Sequence, residues 1–93
     1  PAEKVFYFKA PDNRMRGFRV QKGDLVLVVP TQTAEDGAMM LLDTDLGKQL
    51  FVLKILPRYQ LLLQTFDQQN ASEVVNMSEV RIIGKCVRLE AEL

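Results

Sequence analysis

Histidine and tryptophan are absent from this 93-residue sequence, and cysteine occurs once, as Cys86. Without histidine neither a Ser-His-Asp nor a Cys-His catalytic arrangement can be assembled, and histidine-containing metal sites are excluded with them. A lone cysteine has no partner for an intrachain disulfide and too few companions for a zinc site, which fits a reducing cytoplasm. An excess of charge of one sign is also missing. Twelve Lys plus Arg balance twelve Asp plus Glu, so the chain lacks the positive field of general nucleic-acid or membrane-surface binders. No apolar run approaches bilayer-spanning length, and the opening Pro1-Ala2-Glu3-Lys4 has none of the pattern of a signal peptide. A P-loop, a dinucleotide glycine fingerprint, internal repeats and low-complexity tracts are missing too. The sequence therefore reads as a soluble cytoplasmic protein with no cofactor and no metal.

Hydrophobic residues make up 47% of the chain, enough at this length for one compact core and too little for two. A single domain over residues 1–93 is expected. Short β-rich segments alternate with turn signals and long helical periodicity is absent, which predicts an all-β fold with little or no helix. Residues 5–9 are aromatic and extended, and Pro11, Asp12 and Asn13 break them into a loop. Residues 25–29, led in by Gly23-Asp24 and closed by Pro30, form a continuous apolar run that suggests burial on both faces. Polar residues 31–37 end in Glu35-Asp36-Gly37, a hairpin-type turn before the apolar residues 38–42. Asp43-Thr44-Asp45-Leu46-Gly47 repeats that turn chemistry. Residues 49–56 form a strand that stops at Pro57, residues 59–66 return antiparallel, and a polar loop over 67–72 follows. The chain starts directly on a strand without an initiator methionine, so an excised fragment with a missing N-terminal domain is expected.

The last segment carries a register signal. Val80 and Ile82 place apolar side chains at even positions, whereas Val87, Leu89, Ala91 and Leu93 place them at odd ones. The inward face therefore switches near Gly84, where a β-bulge or sharp strand bend is expected.

Few residues qualify for chemistry. Asp43 and Asp45 resemble a carboxylate pair, but they flank the Gly47 turn, where aspartate is expected for backbone hydrogen bonding. Cys86 has Lys85 and Arg88 as its only activating neighbours and sits within a strand pattern, so a structural thiol is expected. Lys9, Arg14, Arg16, Arg19 and Lys22, with Phe18 interleaved, form a local basic loop able to contact phosphates or an acidic partner. Asp12 and Asp24 neutralise part of it, which favours a solvated charged loop.

The order Tyr7-Phe8-Lys9-Ala10, Asp12-Asn13-Arg14-Met15, then Gly23-Asp24-Leu25-Val26-Leu27-Val28 resembles the C-terminal domain of the LexA, UmuD and phage CI repressor family. In that S24-type signature a Gly-Asp-Ser-Met-like loop lies between two strands. Downstream, Asp36-Gly37 resembles the turn before the next family strand, Phe51-Val52-Leu53-Lys54 resembles the strand bearing the catalytic lysine, and residues 80–87 resemble the closing Val-x-Gly-x-Val strand. Nearly the whole chain is covered, and the shared order of short motifs carries the resemblance. It implies a single, strongly bent β-domain that pairs with itself.

In such Ser-Lys peptidases a serine hydroxyl attacks the carbonyl and a neutral, buried lysine takes its proton. Here Arg14 stands at the serine position, and a guanidinium is neither nucleophile nor base. Lys54 matches the family lysine, with Val52 and Leu56 expected on its face to exclude water. The resemblance thus implies a degenerate, non-catalytic S24-type site at Arg14 and Lys54, and an oligomerisation domain of a prophage-type or LexA-like transcriptional repressor. Operator DNA would be read by a domain upstream of Pro1, and the self-cleavage site would lie upstream as well. Self-association is expected on the apolar row Val87, Leu89, Ala91 and Leu93, in a homodimer or higher oligomer. The alternatives are a Ser-Lys-type peptidase with an atypical nucleophile, for which Thr31, Ser72 and Ser78 are poorly placed, and a partner- or nucleic-acid-binding module built on the basic loop.

Overall fold

The computed structural model describes residues 4–87. Seven strands form one antiparallel sheet: β1 (Phe6–Lys9), β2 (Leu25–Pro30), β3 (Met39–Thr44), β4 (Gly47–Leu56), β5 (Gln60–Phe66), β6 (Asn70–Asn76) and β7 (Arg81–Val87). Their order across the sheet is β1-β2-β7-β3-β4-β5-β6. Single 3-10 turns at Arg16–Phe18 and Met77–Glu79 are the only helical segments among the described residues. The all-β expectation holds. No helix of the described residues is long and apolar enough to cross a membrane.

Turn chemistry sets the strand ends. Gly37 (φ +79°) precedes β3, and Gly47 (φ +97°) opens β4 opposite Thr44; both backbones lie where a Cβ is disfavoured. The β3–β4 turn is held by Thr44, whose hydroxyl donates to the Gly47 carbonyl at 3.0 Å and accepts from the Leu46 N–H at 3.1 Å. Asp43 does not take the turn role expected of it: it lies in β3, opposite Lys48 and Arg81. The polar loop expected over residues 67–72 is also shorter, because Asn70 already pairs with Phe66 as the first residue of β6.

Pleating divides the sheet into two buried faces. Leu41, Leu50 and Val52 join Val26, Val28 and Cys86 in one cluster, which we term the first face. The intervening residues Met40, Leu42, Phe51 and Leu53 join Leu61 and Leu63 on the other side, the second face. Alternate side chains of β3 and β4 thus feed separate cores, so their runs are apolar throughout. The same inference fails for β2. Val26 and Val28 are buried, but Leu25 and Val29 are exposed, since nothing among the described residues covers the second face there.

The expected bulge lies in β7. Leu41 pairs with Gly84 and Leu42 with Ile82, which leaves Ile83 as the extra residue. Ile82 packs on the second face and Cys86 on the first, so the facing does switch. The inward residue beyond the switch is Cys86, however, and Val87 is exposed. The sheet curls strongly enough that the loop after β1, an edge strand, closes on the end of β5: the Phe66 N–H donates to the Arg14 carbonyl at 2.7 Å.

Candidate functional site

The loop between β1 and β2 is built from local polar contacts and anchored by two apolar ones. The Asp12 carboxylate accepts the Arg14 N–H at 3.1 Å, and the Asn13 carbonyl accepts the Arg16 N–H at 3.0 Å, an Asx turn leading into the 3-10 turn. The Asn13 side chain accepts the Lys22 N–H at 2.8 Å, so the far end of the loop is tied back to its start. Met15 is buried in the first core. Phe18 stands edge-on to Phe66 with ring centroids 4.9 Å apart, a favoured aromatic geometry. Gly17 passes so near Phe66 that a Cβ on it would lie 2.8 Å from the Phe66 Cβ.

These anchors send consecutive side chains to opposite faces. Met15 enters the first core, while the Arg14 guanidinium lies over the Phe51 ring of the second, 5.2 Å from its centroid. The Arg14 Nε lies 3.1 Å from both oxygens of Asp12, and a terminal nitrogen pairs with the same carboxylate at 3.0 Å. Burial raises the Asp12 pKa, but the hydrogen bonds and charge of Arg14 outweigh it and hold the carboxyl below its ordinary value. Arg14 forms one wall of an open groove of about 350 Å³, lined also by Leu46, Gln49, Thr65, Ser72 and Glu73. Its cation is already neutralised and stacked.

Lys54 is not brought to this groove. It continues the Leu50 and Val52 side of β4, opposite the Phe51 and Leu53 side over which Arg14 lies. It is exposed, so the expected shielding by Val52 and Leu56 does not occur. The residue next after Phe51 on the Arg14 side is Leu53, fully buried and aliphatic. Ser72 borders the groove, but no lysine lines it. Thr31 and Ser78 are not among its lining residues.

The basic loop is dispersed by its own ion pairs. Arg14 is held by Asp12, and Arg16 pairs with Asp67 at 3.4 Å. Among the described residues Asp24 forms no ion pair of the kind expected; its carboxylate accepts the Gln21 N–H at 2.9 Å. Lys9, Arg19 and Lys22 are exposed and make no ion pair among the described residues. Phe18 packs edge-on with Phe66 and remains 40% exposed. Of the expected self-association row, Val87 is exposed at the end of β7, and Leu89, Ala91 and Leu93 lie outside the described residues.

Cys86 is buried in the first core, and burial pushes its thiol up to about 12. A neutral, shielded thiol is a poor nucleophile. Among the described residues no group of three or more His, Cys, Asp and Glu side chains could hold a metal ion. Sequence reasoning missed Phe51 as the platform for Arg14 and Phe66 as the anchor of its loop, because both act across the curled sheet. An aromatic in the strand suspected of carrying the catalytic base was the available signal for Phe51.

Residues 1–87 match the family model described as Peptidase S24-like. No curated protein matches the chain.

Proposed function

The chain belongs to the peptidase S24-like family, and from that premise we propose that it is a catalytically inactive self-association domain of a LexA-like or prophage-type transcriptional repressor. The observation that carries the inactive reading is the Arg14 position. A protonated guanidinium clamped by Asp12 over Phe51 supplies neither nucleophile nor base. The strand beneath it offers Leu53 where a general base would have to reach the groove. The remaining groove hydroxyls, Thr65 and Ser72, have no amine beside them among the lining residues.

A domain that has lost the chemistry still contributes assembly. Joining two DNA-reading heads through a symmetric pair makes the second half-site contact intramolecular, which raises operator affinity without a new base contact. The net charge of zero suits a module that binds its own kind and leaves DNA to an upstream domain.

Incubation of the full-length protein at alkaline pH tests the inactive reading, since those conditions neutralise the lysine of an active relative and favour self-cleavage. Mass spectrometry is expected to find one intact species throughout. A time-dependent, concentration-independent cut that disappears in Lys54→Ala would overturn it.

A further inference from the structure

We propose that the groove beside Arg14 continues into a recognition site for an extended, basic segment of a partner protein, which it binds and does not cut. The proposal rests on the inactive reading and adds the occupant. The groove does not end at Glu73: a second hollow of about 210 Å³ shares Leu46, Gln49, Phe51 and Glu73 with it and runs on to Val75, Glu79 and Val80. Ala71, Glu73 and Val75 alternate along β6 and stand opposite Thr65, Leu63 and Leu61 of β5. Leu61 and Leu63 belong to the second core, so the three β6 residues lie on the second face as well. The groove therefore follows β6. From Ala71 to Val75 it measures roughly 13 Å, the length of four residues of extended chain.

Its two ends differ in charge. At the Ala71 end the Arg14 guanidinium is neutralised by Asp12. Toward the Val75 end Asp45, Glu73 and Glu79 line the hollow without a lysine or arginine among its lining residues. None of these carboxylates forms an ion pair among the described residues. A chain of zero net charge thus concentrates negative charge in one concave strip, which focuses the field on an incoming cation. A metal ion does not fit, because no group of three or more His, Cys, Asp and Glu side chains among the described residues could hold one. An ammonium or guanidinium side chain fits, since it needs only hydrogen-bond reach to exposed carboxylates.

The apolar walls make the occupant a polypeptide and not a free amine. Leu46, in the β3–β4 turn, is 85% exposed and borders both hollows together with Phe51. Small-molecule sites enclose most of their ligand, whereas this groove is open along its length and suits a chain that passes through it. Side chains two residues apart on an extended chain point the same way, about 7 Å from each other. An apolar side chain against Leu46 and Phe51 with a basic one at Glu73 therefore defines an apolar-x-basic pattern. The ends of this chain do not carry it: Glu3 is the only charged side chain of residues 1–3, and in residues 88–93 Arg88 stands against Glu90 and Glu92.

Titration of the isotope-labelled chain with the end-blocked peptide Gly-Leu-Ser-Arg-Ser-Gly, followed by NMR, tests this. The amide resonances of Leu46, Phe51 and Glu73 are expected to shift saturably with a Kd between about 10 μM and 1 mM, the range of a few exposed contacts. The counterpart Gly-Leu-Ser-Glu-Ser-Gly should bind at least about tenfold more weakly. Glu73→Gln and Leu46→Ser change exposed side chains, so both are expected to keep the wild-type circular dichroism while binding the arginine peptide at least about threefold more weakly. If one of them fails to fold, the other carries the test. Equal affinity for the two peptides, folded variants that bind like wild type, or no saturable shift up to about 5 mM would overturn the basic-segment proposal and leave the inactive reading standing. Recovery of the arginine peptide as two fragments in mass spectrometry would overturn both.

Discussion

Gly84 and Val28 approach so closely across the β2–β7 pair that a Cβ on Gly84 would lie 2.5 Å from the Val28 Cγ1, and 2.6 Å from the Val29 carbonyl oxygen. The glycine is required by this backbone contact and not by its φ, which is ordinary. Gly84→Ala should therefore force β2 and β7 apart at the bulge and destabilise the fold by about 1–3 kcal/mol, the range of core overpacking with backbone displacement. Urea unfolding measures it. A loss below about 0.5 kcal/mol would mean that the strands accommodate the methyl freely.

That glycine shows which features the sequence exposes. A change of apolar parity within one strand needs an unpaired residue, so the bulge at Ile83 was legible beside Gly84 before any coordinates. Strand β6 was not, because an edge strand with mostly exposed side chains has no hydrophobic alternation to read. The apolar β2 run misled for the opposite reason: Leu25 and Val29 are hydrophobic on a face that no described residue covers. Lys54 illustrates a sharper limit. A motif matched by the order of its letters tolerates a shift of one residue, and in a strand that shift moves a side chain to the other side of the sheet.

Cys86 should be inert while the fold is intact. Its side chain is shielded in the first core, and a thiol pushed up to about 12 holds little thiolate at mildly alkaline pH. The reaction with an aromatic disulfide reagent at such pH should run on the order of a hundredfold slower in native than in denatured protein. Equal rates would place the thiol at the surface.

Asp12 should report the Arg14 clamp through its titration. Its folded pKa is depressed, so its contribution to stability is present above the unfolded value and is lost as pH falls through the folded one. The carboxylate is 43% exposed, and solvent screening keeps the stability effect small. The pKa itself is the better readout. Arg14→Met removes the side-chain hydrogen bonds and the charge of Arg14 while keeping the backbone N–H bond of residue 14, so the Asp12 carboxyl resonance should titrate at higher pH than in wild type. An unchanged midpoint would show that the ion pair does not persist in solution.

Restoring a serine at position 14 should not by itself restore peptide cleavage. A hydroxyl there would replace a guanidinium that lies over Phe51, but the one nearby family-type base, Lys54, extends from the opposite side of β4 into solvent. General-base activation needs the amine within about 2.6–3.2 Å of the hydroxyl, directly or through one water. No side-chain rotation carries a strand residue through its own sheet. The catalytic lysine must also be desolvated, whereas Lys54 is exposed. Leu53 is the β4 position that shares the Arg14 face and is fully buried, so a lysine introduced there would be both correctly sided and desolvated. The full-length Arg14→Ser variant is therefore expected to stay intact at alkaline pH in mass spectrometry. Arg14→Ser combined with Leu53→Lys is the version in which any cutting should first be seen, at a cost in stability from the buried amine. Efficient cleavage by Arg14→Ser alone, abolished by Lys54→Ala, would show that Lys54 reaches the groove and that β4 pairs in solution with its faces exchanged.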